Sequence, residues 1–166
     1  MSRPLRILLV NKAYPPHIGG IETLVRQYAR YFQTQFSAEV QVLVCQEKGK
    51  TARETIEGVP VLRAGSIGTY FSCPLSGSFL RYFRKYAKQA DVVMMHMPFP
   101  LADLACLLSG YRGRVVLAWH SDVIKQKTLL RFYAPLLRWL LRRADCILTA
   151  TQGHIDSSAF LPAVHQ

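Results

Sequence analysis

Glycines and histidines stand where apolar runs of this 166-residue sequence end. RILLV is followed by the stretch YPPHIGGIE, residues 14–22, with His17, Gly19 and Gly20. DVVMMHM carries His96 next to its end and is followed by Pro98 and Pro100, and RVVLAWH ends on His120, with Asp122 two residues on. Adjacent glycines lack Cβ atoms, so backbone can approach a ligand closely, and at the mouth of a helix free N–H groups and the helix dipole favour a phosphate. The simpler alternative is a tight turn, with Glu22 complementing the dipole of the helix that follows. A histidine at the carboxyl end of a strand can donate to a sugar hydroxyl or a phosphate, or move a proton near neutral pH. One such histidine is usually structural, whereas two on neighbouring strand ends point to a site. His120 with Asp122 also raises a hydrolase dyad, but no G-x-S-x-G elbow accompanies it. The dinucleotide fingerprint G-x-G-x-x-G and the P-loop are both absent.

These positions need strands that end together, and the hydrophobic pattern supplies them. Residues 6–10 are a continuous apolar run, the mark of a strand buried on both faces, and further strands are expected at 39–45, 91–97, 114–120 and 146–150, with a shorter one at 59–64. Between them Ile21, Leu24, Val25, Tyr28, Phe32 and Phe36 recur at helical spacing, and helices are expected over 78–89 and 101–109. Pro135 divides the region 128–143 into two helices, 128–133 and 135–143, because proline fits best in a first turn. Residues 46–58 are expected as a polar loop, 65–77 as an irregular glycine- and serine-rich loop, and TQGHIDSS as a loop entering a further element. Strands alternating with helices indicate an α/β, Rossmann-like, doubly wound parallel sheet in one domain, with ligands beyond the carboxyl ends of the strands.

Lys and Arg number 21 against 10 Asp and Glu, a formal charge of +11. Such a field attracts nucleic acid, anionic membrane or phosphorylated small molecules. Nucleic acid is excluded as a partner because the basic residues follow no recognised motif and no aromatic stacking platform accompanies them. Cys45, Cys73, Cys106 and Cys146 show no paired metal-ligand spacing and read as reduced, mostly buried thiols, without zinc or disulfides. The first apolar run is too short for a signal peptide, and no run approaches a membrane span.

PPHIGGIE, DVVMMHMPFPLADL, WHSDVIKQK and RRADCILTAT, in this order, resemble the N-terminal half of retaining GT-B glycosyltransferases of the group 1 (family 4) type, over nearly the whole chain. The resemblance implies transfer of a sugar from a nucleotide-sugar donor with retention of configuration, no metal and no cofactor. It implies Gly19 and Gly20 beside the donor phosphate and His120 as the catalytic histidine near the transferred sugar. His96, Pro98 and Pro100 fall on the acceptor side, with His17 and Asp122 beside them. The family's second domain, with its E-x-x-x-x-x-x-x-E motif, is missing; Glu39 and Glu47 have that spacing by chance, since they flank a first-domain strand. The expected partners are therefore a nucleotide-sugar, a glycan or lipid-linked acceptor, and the C-terminal domain without which the chain is inactive. The alternative is a non-catalytic binding or interaction module of the same fold.

Basic residues on two helices give the last expectation. Arg81, Arg84, Lys85 and Lys88 stand among Tyr82, Phe83 and Tyr86, and Arg138 and Arg142 share one side of the later helix opposite Leu136, Leu137, Leu140 and Leu141. With Lys125 and Lys127 they could hold a cytoplasmic protein against the anionic inner face of the cell membrane.

Overall fold

The computed structural model describes residues 3–70, 73–121 and 127–161. Seven strands form one sheet in the order β3-β4-β2-β1-β7-β8-β9, parallel except for the edge strand β3. The strands are β1 (Arg6–Val10), β2 (Glu39–Cys45), β3 (Ala52–Ile56), β4 (Val59–Ala64), β7 (Val92–Met97), β8 (Arg114–Trp119) and β9 (Cys146–Thr149). The short strands β5 (Thr69–Tyr70) and β6 (Cys73–Pro74) make a separate hairpin. The parallel sheet with helices on both sides is the doubly wound arrangement expected from the pattern.

The winding reverses between β1 and β7, which are neighbours although most of a sheet half separates them in sequence. Among the described residues, helix α1 (Gly20–Phe36) covers one face, while α2 (Gly77–Ala87), α3 (Pro100–Ser109) and α4 (Lys127–Arg143) cover the other. Alternate residues of β1 serve the two layers: Ile7 and Leu9 pack under α1, and Leu8 and Val10 pack with Phe79, Phe83 and Leu137. This double burial is why the strand reads as an unbroken apolar run.

Four local expectations are corrected. The polar segment 46–58 contains β3, whose pattern lacks an apolar run because it is an exposed edge paired on one side to β4. The segment 65–77 is organised by β5 and β6 and by Ser76, which caps α2 by accepting from the Phe79 amide at 3.0 Å and donates to the Gly65 carbonyl at 2.6 Å. Gly65 has to be glycine, since a Cβ there would lie 2.8 Å from the Thr51 amide nitrogen. Helix α4 runs unbroken through Pro135. Pro135 and Arg131 are exposed, so the carbonyl freed by the missing N–H can be met by water, while Tyr133, Leu137, Leu140 and Leu141 anchor the helix to the core. The TQGHIDSS stretch forms the short helix α5 (Gln152–Ser157). Cys45 and Cys106 are buried as expected, but Cys146, on the open edge strand β9, is exposed.

Candidate functional site

The loops leaving β1 and β7 flank the reversal of strand order, the place where open α/β sheets bind ligands. After β1 the backbone is pinned in four ways. Asn11 is buried and donates from Nδ2 to the Ala13 carbonyl at 2.9 Å. Tyr14 is fully buried. Arg63 of β4 donates to the Tyr14 carbonyl at 3.1 Å and also to that of Pro15. Its Nε meets Glu54 of β3, so the edge hairpin braces the loop. Arg63 and Tyr14 escaped the sequence reading because neither bears on chemistry directly.

Gly19 is the N-cap of α1 in extended conformation, and Gly20 opens the helix. A Cβ on Gly20 would meet nothing within 4 Å, whereas one on Gly19 would lie 2.0 Å from Glu22 Oε2. Glu22 therefore folds back over the helix entrance, the place a phosphate oxygen would take. His17 stands over it, with Nδ1 4.0 Å from Glu22 Oε1 and Nε2 3.8 Å from Glu47 Oε1.

The strand-end histidines form a single pair. Register sets His96 beside Ala118, and the His120 amide donates to the Met97 carbonyl at 3.3 Å. Because side chains alternate across a strand, Met94 and His96 face the α1 side along with Val116, Ala118 and then His120. The small Ala118 leaves room for the rings to meet. His96 Nδ1 lies 3.0 Å from His120 Nε2, with ring centroids 5.3 Å apart and planes 10° from parallel. The Tyr28 ring of α1 lies 5.9 Å from that of His96.

His96 is only 2% exposed, and burial, with His120 second, lowers its pKa to about 3. It is thus neutral at physiological pH, with one N–H. Among the described residues His96 Nε2 is buried without a partner. Placing the proton on Nε2 would bury an unmet donor, which costs more than an unmet lone pair. By this satisfaction argument Nδ1–H of His96 donates to Nε2 of His120, and the proton of a neutral His120 sits on Nδ1. His96 therefore reaches any ligand only through His120.

Pro98 follows β7 and Pro100 starts α3, both half-buried. In the first turn of α3, Asp103 is fully buried and accepts from the Tyr133 hydroxyl of α4. Burial raises the Asp103 carboxyl to about 7, against the lowering effects of Tyr133 and Lys12. Asp122 and Lys125 lie outside the described residues, and Lys127 is the first residue of α4. Among the described residues no group of His, Cys, Asp and Glu could hold a metal ion. A groove of about 460 Å³ is lined by Arg6, Gln33, Glu39, Gln41 and Gln89. It opens at the amino ends of β1 and β2, away from the histidine pair, and lacks any cluster of reactive groups, so the strand-end surface is the better candidate.

Residues 19–160 match the family described as Glycosyl transferase 4-like domain. The chain belongs to that family. It corresponds to the N-terminal domain of a GT-B group 1 glycosyltransferase. Curated relatives include an O-antigen chain mannosyltransferase C of Escherichia coli, 30% identical over 95% of this chain and 42% of that protein. A D-rhamnosyltransferase of Pseudomonas aeruginosa is 31% identical over 95% of this chain and 41% of that protein. The chain thus spans about two fifths of the length of these relatives. Among solved structures, a sucrose-phosphate synthase from Thermosynechococcus elongatus superposes with a TM-score of 0.58 at 13% identity, over 86% of this chain and 41% of that one. An α,α-trehalose 6-phosphate synthase from Burkholderia multivorans gives 0.56 at 13% identity, over 93% and 41%. At such identities these two report the fold alone.

Proposed function

We propose that this glycosyltransferase domain is the acceptor-side half of a retaining enzyme that takes a sugar from a nucleotide-sugar donor. The acceptor is a lipid-linked glycan of surface polysaccharide assembly, met at the cytoplasmic face of the membrane. A second Rossmann-like domain supplies the base- and sugar-reading groups, and no metal or cofactor takes part. The observation that carries the reading is the hydrogen-bonded His96–His120 pair at the reversal of strand order, in a chain of this family.

The roles follow from charge. Breaking the donor's glycosidic bond develops positive charge on the sugar and negative charge on the departing diphosphate, so oriented donors facing the phosphate stabilise the transition state. The amides at the start of α1 supply them once the Glu22 carboxylate swings away, and the uncrowded side of Gly20 leaves room for phosphate. His120, oriented by His96, is the histidine that faces the transferred sugar. The relatives bear on substrate class in that two of them are named as a mannosyltransferase and a rhamnosyltransferase.

The test is transfer of labelled sugar to a lipid-linked oligosaccharide by the chain alone and by the chain joined to the remaining portion of the mannosyltransferase relative. We expect negligible turnover alone and turnover in the chimera. Transfer at an ordinary enzymatic rate by the 166 residues alone would refute the half-site reading. A chimera that binds nucleotide-sugar yet transfers nothing would favour a non-catalytic binding module.

A further inference from the structure

We infer that the outer surface of α2, α3 and α4 is a membrane-docking face, with a leucine stripe on α3 inserted among the lipids of an anionic bilayer and cations on either side. The inference stands apart from the glycosyl-transfer reading, since it depends on no residue of the histidine site.

Helix α3 packs between α2 and α4. Its outer surface shows Leu104, Leu107 and Leu108, spaced three and four residues apart and therefore one patch, with Leu108 59% exposed. Phe132 of α4, 79% exposed, adds an aromatic ring to the same layer. On α2 and its C-cap, Arg81, Arg84, Lys85 and Lys88 recur at helical spacing and are exposed. On α4, exposed Arg131, Arg138 and Arg142 form the matching stripe. Among the described residues none of these seven cations is in an ion pair.

The sign of the partner comes from what the layer lacks. The three helices contain one acidic residue, Asp103, and it is fully buried. A merely solubilising face would intersperse both signs, and that is what α1 does across the sheet: its Arg26 and Arg30 are both paired with Glu57. An apolar stripe bordered by unpaired cations with no counter-charge matches an anionic lipid surface, where each cation contributes about 1 kcal/mol and leucines add area-dependent burial. No helix of the described residues is long and apolar enough to cross a membrane, so the contact is with one leaflet.

The test is co-sedimentation of the whole 166-residue chain with vesicles of phosphatidylcholine, alone or mixed with phosphatidylglycerol. Binding is expected to the mixed vesicles and to be much weaker to the neutral ones. The triple variant Arg84→Gln, Lys85→Gln, Lys88→Gln should weaken it about a hundredfold. Leu104→Ser, Leu107→Ser and Leu108→Ser together should weaken it at least tenfold and make the remainder fully releasable by roughly 0.5 M salt. All these side chains are solvent-facing, and circular dichroism checks that the variants fold. Leu108→Trp should give emission that shifts to the blue on mixed vesicles only. Equal binding to both vesicle types, no binding to either, or variants that bind like the parent would overturn the docking face. An unshifted Leu108→Trp signal would overturn the insertion. Self-association in sedimentation velocity that the leucine variant abolishes would assign the stripe to a second copy of the chain instead.

Discussion

Acidification from about pH 7 to about pH 5 acts on two buried groups of this domain in opposite directions. The His96 pKa is lowered by burial, and then by His120, from 6.5 to about 3. The folded ring stays neutral over this range while the unfolded chain's histidine takes up a proton, so stability present above pH 6.5 is lost as the pH falls. Nearly one and a half decades of unfolded-state protonation amount to ~2 kcal/mol by pH 5. The Asp103 pKa is raised by burial from 3.8 to about 7. Its folded carboxyl gains a proton over the same range and the unfolded one does not, which returns ~2 kcal/mol. The parent chain should therefore be almost insensitive to pH between these limits. His96→Phe leaves Asp103 unopposed and should gain ~2 kcal/mol on acidification, and Asp103→Asn leaves His96 unopposed and should lose about as much. Urea unfolding followed by circular dichroism at three pH values measures all three proteins. If both variants run parallel to the parent, the burial argument for the pair is wrong.

Other substitutions test the remaining contacts. In the chimera used for the transfer assay, His120→Ala should lower turnover by roughly 10²–10⁴-fold, and unchanged turnover removes His120 from the site. Gly20→Ala meets no neighbour and should hold or raise stability by up to ~1 kcal/mol while weakening nucleotide-sugar binding in that chimera; intact binding would place the phosphate elsewhere. Tyr133→Phe strips Asp103 of its hydrogen-bond partner and should destabilise by ~1–3 kcal/mol, more at pH 8 than at pH 5, and a loss independent of pH would contradict the pairing.

The sequence by itself determined the α/β class and six of the seven main-sheet strands, because strands in the middle of the sheet, as β1, β2, β7 and β8 are, must be largely apolar. It also placed the glycines and histidines at strand ends, since turn chemistry is local. Exposed β3 left no apolar run to find, because an edge strand paired on one side can keep water on the other. Helix α4 passed through Pro135 because core contacts of Tyr133, Leu137 and Leu140 outweigh one carbonyl that water can satisfy. His96 and His120 were legible as candidates, but their pairing was not. The 3.0 Å contact depends on the register of β7 against β8, the small Ala118 and the cover supplied by Tyr28. The same holds for the outer layer of α2, α3 and α4. Spacing along each helix showed separate basic stripes, and only packing three helices side by side put the α3 leucines between them, since adjacency across elements is a property of the fold and not of any local run of residues.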